Sequence, residues 1–186
     1  MGYYQLDKIE LNEGIVNSIN KSRKLLHDTR QLLNDKWEHS HAIGLYTFAI
    51  EEYGRAILLK NCLKKKPMTR TGKYKVPRPI FESHKLKFET ALKKLPPKCK
   101  NLQIGPHIKQ DPLSKPIRTR GLTIIRGRGL HTVSTLADFD LRMELFYVEW
   151  DDKYRQWKPE LTTYKKQLET AITNLENRLN IFLVKI

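Results

Sequence analysis

The sequence lacks most of the features that mark secreted and membrane proteins. Only two of its 186 residues are cysteines, Cys62 and Cys99, which is too few for a disulfide framework or a cysteine-built zinc site. No uncharged run approaches the roughly 20 residues that a membrane-spanning helix needs. The first residues also lack the basic and then apolar order of a signal peptide. These absences predict a reduced, soluble, cytoplasmic protein with no membrane partner.

The familiar catalytic signatures are missing as well. The sequence has no glycine-rich phosphate loop, no HExxH pair and no nucleophile elbow. His39 and His41 stand two apart on a predicted helix, so their side chains diverge and cannot hold one ion. We therefore expect no metal and no cofactor.

Acidic residues are scarce beside basic ones. Lys and Arg number 35 against 20 Asp and Glu, which gives a net charge of +15. A field of this sign favours polyanionic partners, namely nucleic acids, acidic proteins or anionic surfaces. The charge alone does not choose among them.

Apolar residues recur at helical spacing through most of the chain, which predicts an all-α fold in a single domain, residues 1–186. Asn34 and Asp35 form a short turn between the first two helices, so these should pack as an antiparallel hairpin. The predicted helices are Leu11–Leu33, Lys36–Leu63, Ile80–Leu95, Leu136–Val148, and a fifth that carries Leu161, Leu168, Leu175 and Phe182 at heptad spacing.

A long basic excursion, at about residues 96–135, separates the third and fourth helices. Glycines and prolines punctuate it and no period persists, so it is predicted as a loop, with a short strand or hairpin edge at TIIRG. It is either a solvated insertion or an arm that becomes ordered on a polyanion. Its candidate RNA contacts are Arg118, Arg120, Arg126 and Arg128.

The second helix carries carboxylates within its apolar face. On a helical wheel centred on Leu45, Glu52 lies inside the apolar arc, whereas Glu51 points to one side. A carboxylate at a core position is costly unless it is paired or protonated. Arg55, three residues after Glu52, offers a purely structural ion pair. The alternative is a functional carboxylate in a polar pocket between helices.

The third helix supplies complementary groups in His84, Lys85 and Lys87. Beside Glu51, Glu52 and Arg55, His84 would be an acid–base group whose ring a glutamate orients. Lys87 or Arg55 would hold a phosphate or pair with the other carboxylate. The alternative is a buried network that only fixes the register of the helices.

At these residues the chain resembles a known family. EEYGRA followed by SHKLK is similar to the EExGK…HxxK pattern of the AbiV family of abortive-infection proteins, which bacteria use against phage. The later segment LRMELFYVEWDDKYRQWKP resembles that family's Arg…LYVD…W..P segment through Arg142, Tyr147, Val148, Trp157 and Pro159. Arg55 stands where Lys is usual and Glu149 where Asp is usual, and both keep the charge. The resemblance extends from the first helix to Pro159.

The resemblance implies a HEPN-like antiparallel helical bundle that forms a homodimer. Many HEPN proteins are metal-independent ribonucleases with an Arg-x4–6-His motif. Arg78 and His84 have this spacing, as do Arg126 and His131, but two matches are about what chance gives in so basic a chain. Arg78 and His84 are preferred because His84 also belongs to the AbiV pattern.

The expected function is an antiphage protein that arrests growth or translation on infection by binding or cleaving RNA. The sequence leaves open whether it is an enzyme; the enzymatic interpretation is a metal-independent ribonuclease. The alternative is a non-catalytic protein whose basic loop binds an acidic phage or host protein. The expected roles are catalysis or orientation for His84, Glu52 and Arg78, phosphate contact for Arg55, Lys87 and Arg78, and a structural network for Glu51, Arg142 and Tyr147.

Overall fold

The structure is a computed structural model that describes residues 2–34, 39–65, 72–106, 117–119, 122–127, 129–135, 150–151, 156–157, 161–163 and 165–184. In chain order its first elements are β1 (Tyr3–Leu6), α1 (Lys8–Leu32), α2 (His39–Leu63), β2 (Tyr74–Pro77), α3 (Pro79–Glu82), α4 (His84–Lys94) and α5 (Pro97–Lys100). These are followed by β3 (Gln103–Pro106), β4 (Ile117–Thr119), β5 (Leu122–Gly127), β6 (Gly129–Thr135), β7 (Trp150–Asp151), β8 (Gln156–Trp157), β9 (Leu161–Thr163) and α6 (Lys165–Val184).

A capping box starts α1. The side chain of Asp7 accepts a hydrogen bond from the backbone N–H of Glu10 at 2.8 Å, and the Glu10 carboxylate accepts one from the N–H of Asp7 at 2.7 Å. Two N–H groups that the helix leaves unpaired are satisfied in this way, so α1 begins three residues before the predicted Leu11. Its predicted apolar stripe is buried: Leu11, Ile15, Ile19, Leu26 and Leu33.

The hairpin of α1 and α2 is antiparallel, as predicted. Near the middle of α1, the buried hydroxyl of Ser22 donates to the carbonyl of Ala49 at 2.8 Å. Nearer the start of α1, Gly14 lies against the side chain of Leu59. Because the contacts move backward along α2 as they move forward along α1, the two helices run in opposite directions.

The last helix, α6, packs antiparallel to α1. The Arg30 guanidinium binds the Glu176 carboxylate with two nitrogens, the second at 2.8 Å, and Arg23 donates to Asn180 at 2.6 Å. In the core, the Tyr46 hydroxyl donates to the carbonyl of Cys99 at 2.7 Å. The predicted antiparallel helical bundle is therefore confirmed.

The predicted third helix is wrong at one residue. Ser83 has an extended backbone (φ −88°, ψ 104°) and divides the segment into α3 and α4. Its side chain accepts a hydrogen bond from the N–H of Leu86 at 3.2 Å and so caps α4. A serine favours this position because its hydroxyl satisfies a free helix N–H.

Strands occur where the sequence predicted a loop. In the described residues, β3, β4, β5, β6 and β9 form one antiparallel sheet in the order β4-β5-β6-β3-β9. The expected hairpin at TIIRG is present, because β5 pairs with β6 from Leu122 opposite Ser134 to Gly127 opposite Gly129. Leu161 begins β9 rather than the last helix, and the predicted helix Leu136–Val148 lies outside the described residues.

Candidate active site

The site lies where α2 crosses α4, and Gly54 permits the crossing. A Cβ atom built on Gly54 would lie 1.9 Å from the carbonyl oxygen of Lys87 and 2.7 Å from its carbonyl carbon. Both atoms belong to the backbone of α4, so no side-chain rotation relieves the clash. Only glycine lets the two helices approach this closely.

His84 and Glu51 form a pair across this crossing. Nδ1 of His84 lies 2.6 Å from Oε2 of Glu51. The Glu51 side chain is only 4% exposed, whereas that of His84 is 50% exposed. When Glu51 is ionised its carboxylate can only accept, so the proton of the imidazole lies on Nδ1. Nε2 is then the basic nitrogen, and no described residue hydrogen-bonds to it.

The cap of α4 fixes the position of this histidine. His84 is the first residue of α4, directly after Ser83, whose hydroxyl accepts from Leu86. The backbone on both sides of the imidazole is therefore held, by the cap before it and by the Gly54 contact one turn later. The ring is therefore held against a buried carboxylate while half of its side chain remains exposed.

A second carboxylate, Glu52, lies beside Arg55. Oε2 of Glu52 lies 3.0 Å from Nη1 of Arg55, yet the two groups are not aligned as a hydrogen bond. Among the described residues, Glu52 Oε2 and Arg55 Nε are buried atoms without a hydrogen-bond partner. Burial raises the pKa of Glu52 from its usual value, against the lowering effect of the Arg55 and Lys87 charges.

The buried part of the site corrects two predicted roles. Glu51, not Glu52, is the carboxylate that contacts His84, because α4 covers the side of α2 that the helical wheel placed away from the core. Lys87 is 1% exposed and its Nζ donates to the carbonyl of Phe81 at 3.2 Å. Its charge acts on Glu52 inside the protein, which agrees with the second of its predicted roles, whereas a phosphate contact would need an exposed ammonium group.

The described contacts of Arg78 are with Tyr4 and Gly2 and not with His84. Its guanidinium carbon is 5.5 Å from the centre of the Tyr4 ring. Its backbone N–H donates to the carbonyl of Gly2 at 3.2 Å. No hydrogen bond joins it to His84 within the described residues.

The remaining candidates belong to later parts of the chain. Arg118 lies in β4, Arg126 in β5 and His131 in β6. The other four lie outside the described residues: Arg120, Arg128, Arg142 and Tyr147. Sequence reasoning assigned no role to Gly54 or Ser83, although a glycine in mid-helix and a serine before a helical run are both visible signals.

Two classes of feature are not found in the part of the chain that is described. No three His, Cys, Asp or Glu side chains are grouped so that they could hold a metal ion. None of the described helices combines the length and the apolar character that crossing a membrane requires.

Comparison with known proteins identifies the family. A family model described as AbiV matches residues 10–179, which span α1, the α2–α4 crossing and most of α6. The chain belongs to the AbiV family. Neither the curated proteins nor the solved structures contain a significant match. AbiV is a HEPN-like helical family, in agreement with the bundle, and it connects this chain with abortive infection, a defence against phage.

Proposed function

We propose that this AbiV-family protein acts in defence by binding and cleaving RNA without a metal ion, with His84 as its acid–base group. The observation that carries the proposal is the contact of 2.6 Å between the buried Glu51 carboxylate and the half-exposed His84 ring. A half-exposed histidine whose Nδ1 contacts a buried carboxylate is an arrangement that general acid–base catalysis uses.

Cleavage of RNA needs such a group because the 2′ hydroxyl is a weak nucleophile until it loses its proton. Nε2 of His84 accepts that proton while the 2′ oxygen forms a bond to phosphorus. The bond between phosphorus and the 5′ oxygen breaks, with its electron pair remaining on oxygen, and the imidazolium returns the proton to that oxygen. The products are a 2′,3′-cyclic phosphate and a 5′ hydroxyl.

Positive charges near His84 would hold the phosphate. Arg55 is one helical turn after Glu51 on α2, and its guanidinium, which lies 3.0 Å from the Glu52 carboxylate, carries five N–H donors that an anion can also use. Lys85, next to His84, is exposed, as is Lys21 of α1, whose charge acts on Glu52. These cations also suit the net charge of +15.

The test compares wild-type protein with His84→Ala on a labelled single-stranded RNA in the presence of a chelator. Loss of a positioned acid–base group should lower the cleavage rate by about 10²- to 10⁴-fold. The matched control is His27→Ala, the same substitution at an exposed position of α1, which should cleave at the wild-type rate. Circular dichroism establishes that both variants are folded.

Growth arrest and bulk RNA integrity on expression in cells complete the test. If growth stops while RNA stays intact, and folded His84→Ala arrests growth equally, then catalysis at His84 is wrong. A non-catalytic protein that acts through its basic excursion would then explain the arrest.

A further inference from the structure

The two-stranded ribbon of β1 and β2 presents one face to solvent. The strands are antiparallel, with Tyr3 opposite Pro77 and Gln5 opposite Lys75. Since residues opposite each other in a strand pair share a face, these four form the outer face, and all four are exposed. The inner face carries Val76, which is 0% exposed, and Tyr4 opposite it, whose ring packs edge-on against Phe81.

Two aromatic rings of this ribbon lie against cations. Lys75 Nζ is 4.0 Å from the centre of the Tyr3 ring, and the Arg78 guanidinium carbon is 5.5 Å from that of Tyr4. The tyrosines nevertheless remain 44% and 41% exposed. The strands themselves, YYQL and YKVP, contain no acidic residue. We call Tyr3, Tyr4, Lys75 and Arg78 the tyrosine ribbon.

We propose that the tyrosine ribbon binds single-stranded RNA next to the segment held at His84. Exposed rings provide flat surfaces on which bases stack, and adjacent cations contact the phosphates, the combination by which proteins bind single strands. This inference rests on the proposed function, because its ligand is the RNA of that site. An acidic peptide would match the cations but would not provide bases that stack on the two tyrosine rings.

The ribbon is close to His84 along the chain and through the packing. His84 is six positions after Arg78, so their Cα atoms are at most about 20 Å apart. The edge of the Tyr4 ring contacts Phe81 of α3, with ring centres 5.3 Å apart. Phe81 in turn accepts the hydrogen bond of Lys87 at the α2–α4 crossing. The short α3 therefore connects the tyrosine ribbon with the α2–α4 crossing that carries His84.

The experiment measures binding separately from cleavage. Fluorescence anisotropy of a labelled oligouridine is recorded in the His84→Ala background, where the strand stays intact. Tyr3→Ala should weaken binding by about 5- to 150-fold, the effect expected for one stacked base, while Tyr3→Phe, which keeps the ring, should bind as tightly as its parent. Tyr3 lies on the outer face, so its removal leaves the core unchanged.

Charge is tested in the same assay. Lys75→Gln should weaken binding and reduce its dependence on salt. The matched control is Lys24→Gln, which removes one exposed charge from α1 at about 24 Å from the start of that helix. It should have a smaller effect than Lys75→Gln.

Each outcome has one meaning for the ribbon. If Tyr3→Ala binds oligouridine as tightly as its parent, or if Lys75→Gln is no weaker than Lys24→Gln, the tyrosine ribbon is not an RNA site. If an oligoglutamate binds instead and Tyr3→Ala abolishes that binding, the ribbon takes a protein and the proposal is also wrong. Absence of cleavage by wild-type protein would refute catalysis at His84 alone, since binding is measured without it.

Discussion

Gly54→Ala should separate α2 from α4 and thereby disconnect His84 from Glu51. The new Cβ would lie 1.9 Å from the Lys87 carbonyl oxygen, whereas an ordinary carbon–oxygen contact is about 3.3 Å, so the helices must move apart by about 1.4 Å. A shift of that size would lengthen the contact between His84 and Glu51 from 2.6 Å to about 4 Å, beyond hydrogen-bond range. Forced overpacking of this kind lowers the free energy of unfolding by about 1–3 kcal/mol.

The measurements are thermal unfolding and the nitrogen chemical shifts of the His84 ring. For a chain of this size, 1–3 kcal/mol corresponds to a fall in Tm of about 3–10 °C, and the ring should lose its fixed tautomer. The control is Gly14→Ala on α1, where the added Cβ meets only the movable end of Leu59, at 3.1 Å. There the gain in helix propensity, about 0.5–1 kcal/mol, should leave stability unchanged or raised. If Gly54→Ala behaves as Gly14→Ala does, the close crossing does not position the site.

Three further changes test the surroundings of the site. Ser83→Ala removes the cap that holds the N–H of Leu86 and should lower the free energy of unfolding by about 1 kcal/mol, whereas Ser83→Asp should keep it; urea titration measures both. Burial holds the pKa of Glu52 above its usual 4.5, so the folded state binds the carboxyl proton of Glu52 more tightly than the unfolded state does. The free energy of unfolding therefore falls as the pH rises from 4.5 through the raised pKa of the folded state. Glu52→Gln should therefore lessen this decline in unfolding scans from pH 4 to 8, and an equal decline would contradict the burial argument. Arg30→Gln and Glu176→Gln, in a double-mutant cycle, should show a coupling of about 0.5–1 kcal/mol that decreases with salt, because the pair is partly exposed.

Helical spacing predicted the bundle well because the apolar residues of an amphipathic helix mark the face that it buries. The stripe from Leu11 to Leu33 identified the buried face of α1, and the short turn after it identified the hairpin. The same method failed for α2, where neighbouring helices cover most of the circumference. A single apolar arc then selects Glu52, whereas the carboxylate that contacts His84 is Glu51.

The pairing of strands was harder to foresee because it depends on contacts distant in sequence. TIIRG indicated a hairpin edge, yet β3 pairs with β9, in which Ile104 lies opposite Thr163, and no local pattern contains that pairing. The tyrosine ribbon is a similar case. Tyr3 and Lys75 are 72 positions apart in the chain, so only the register of β1 and β2 brings the ring and the charge together.

The sequence left open whether the glutamates and His84 form a structural network or a reactive site, and the described contacts bear on both. Lys87 and Gly54 belong to the interior and fix how α4 lies on α2. The pair of Glu51 and His84 adds little to stability by itself, since apolar residues in place of a buried ion pair often stabilise a fold equally well. What the pair does provide is an imidazole of fixed orientation at the surface. This fixed orientation supports the proposal of chemistry at Nε2.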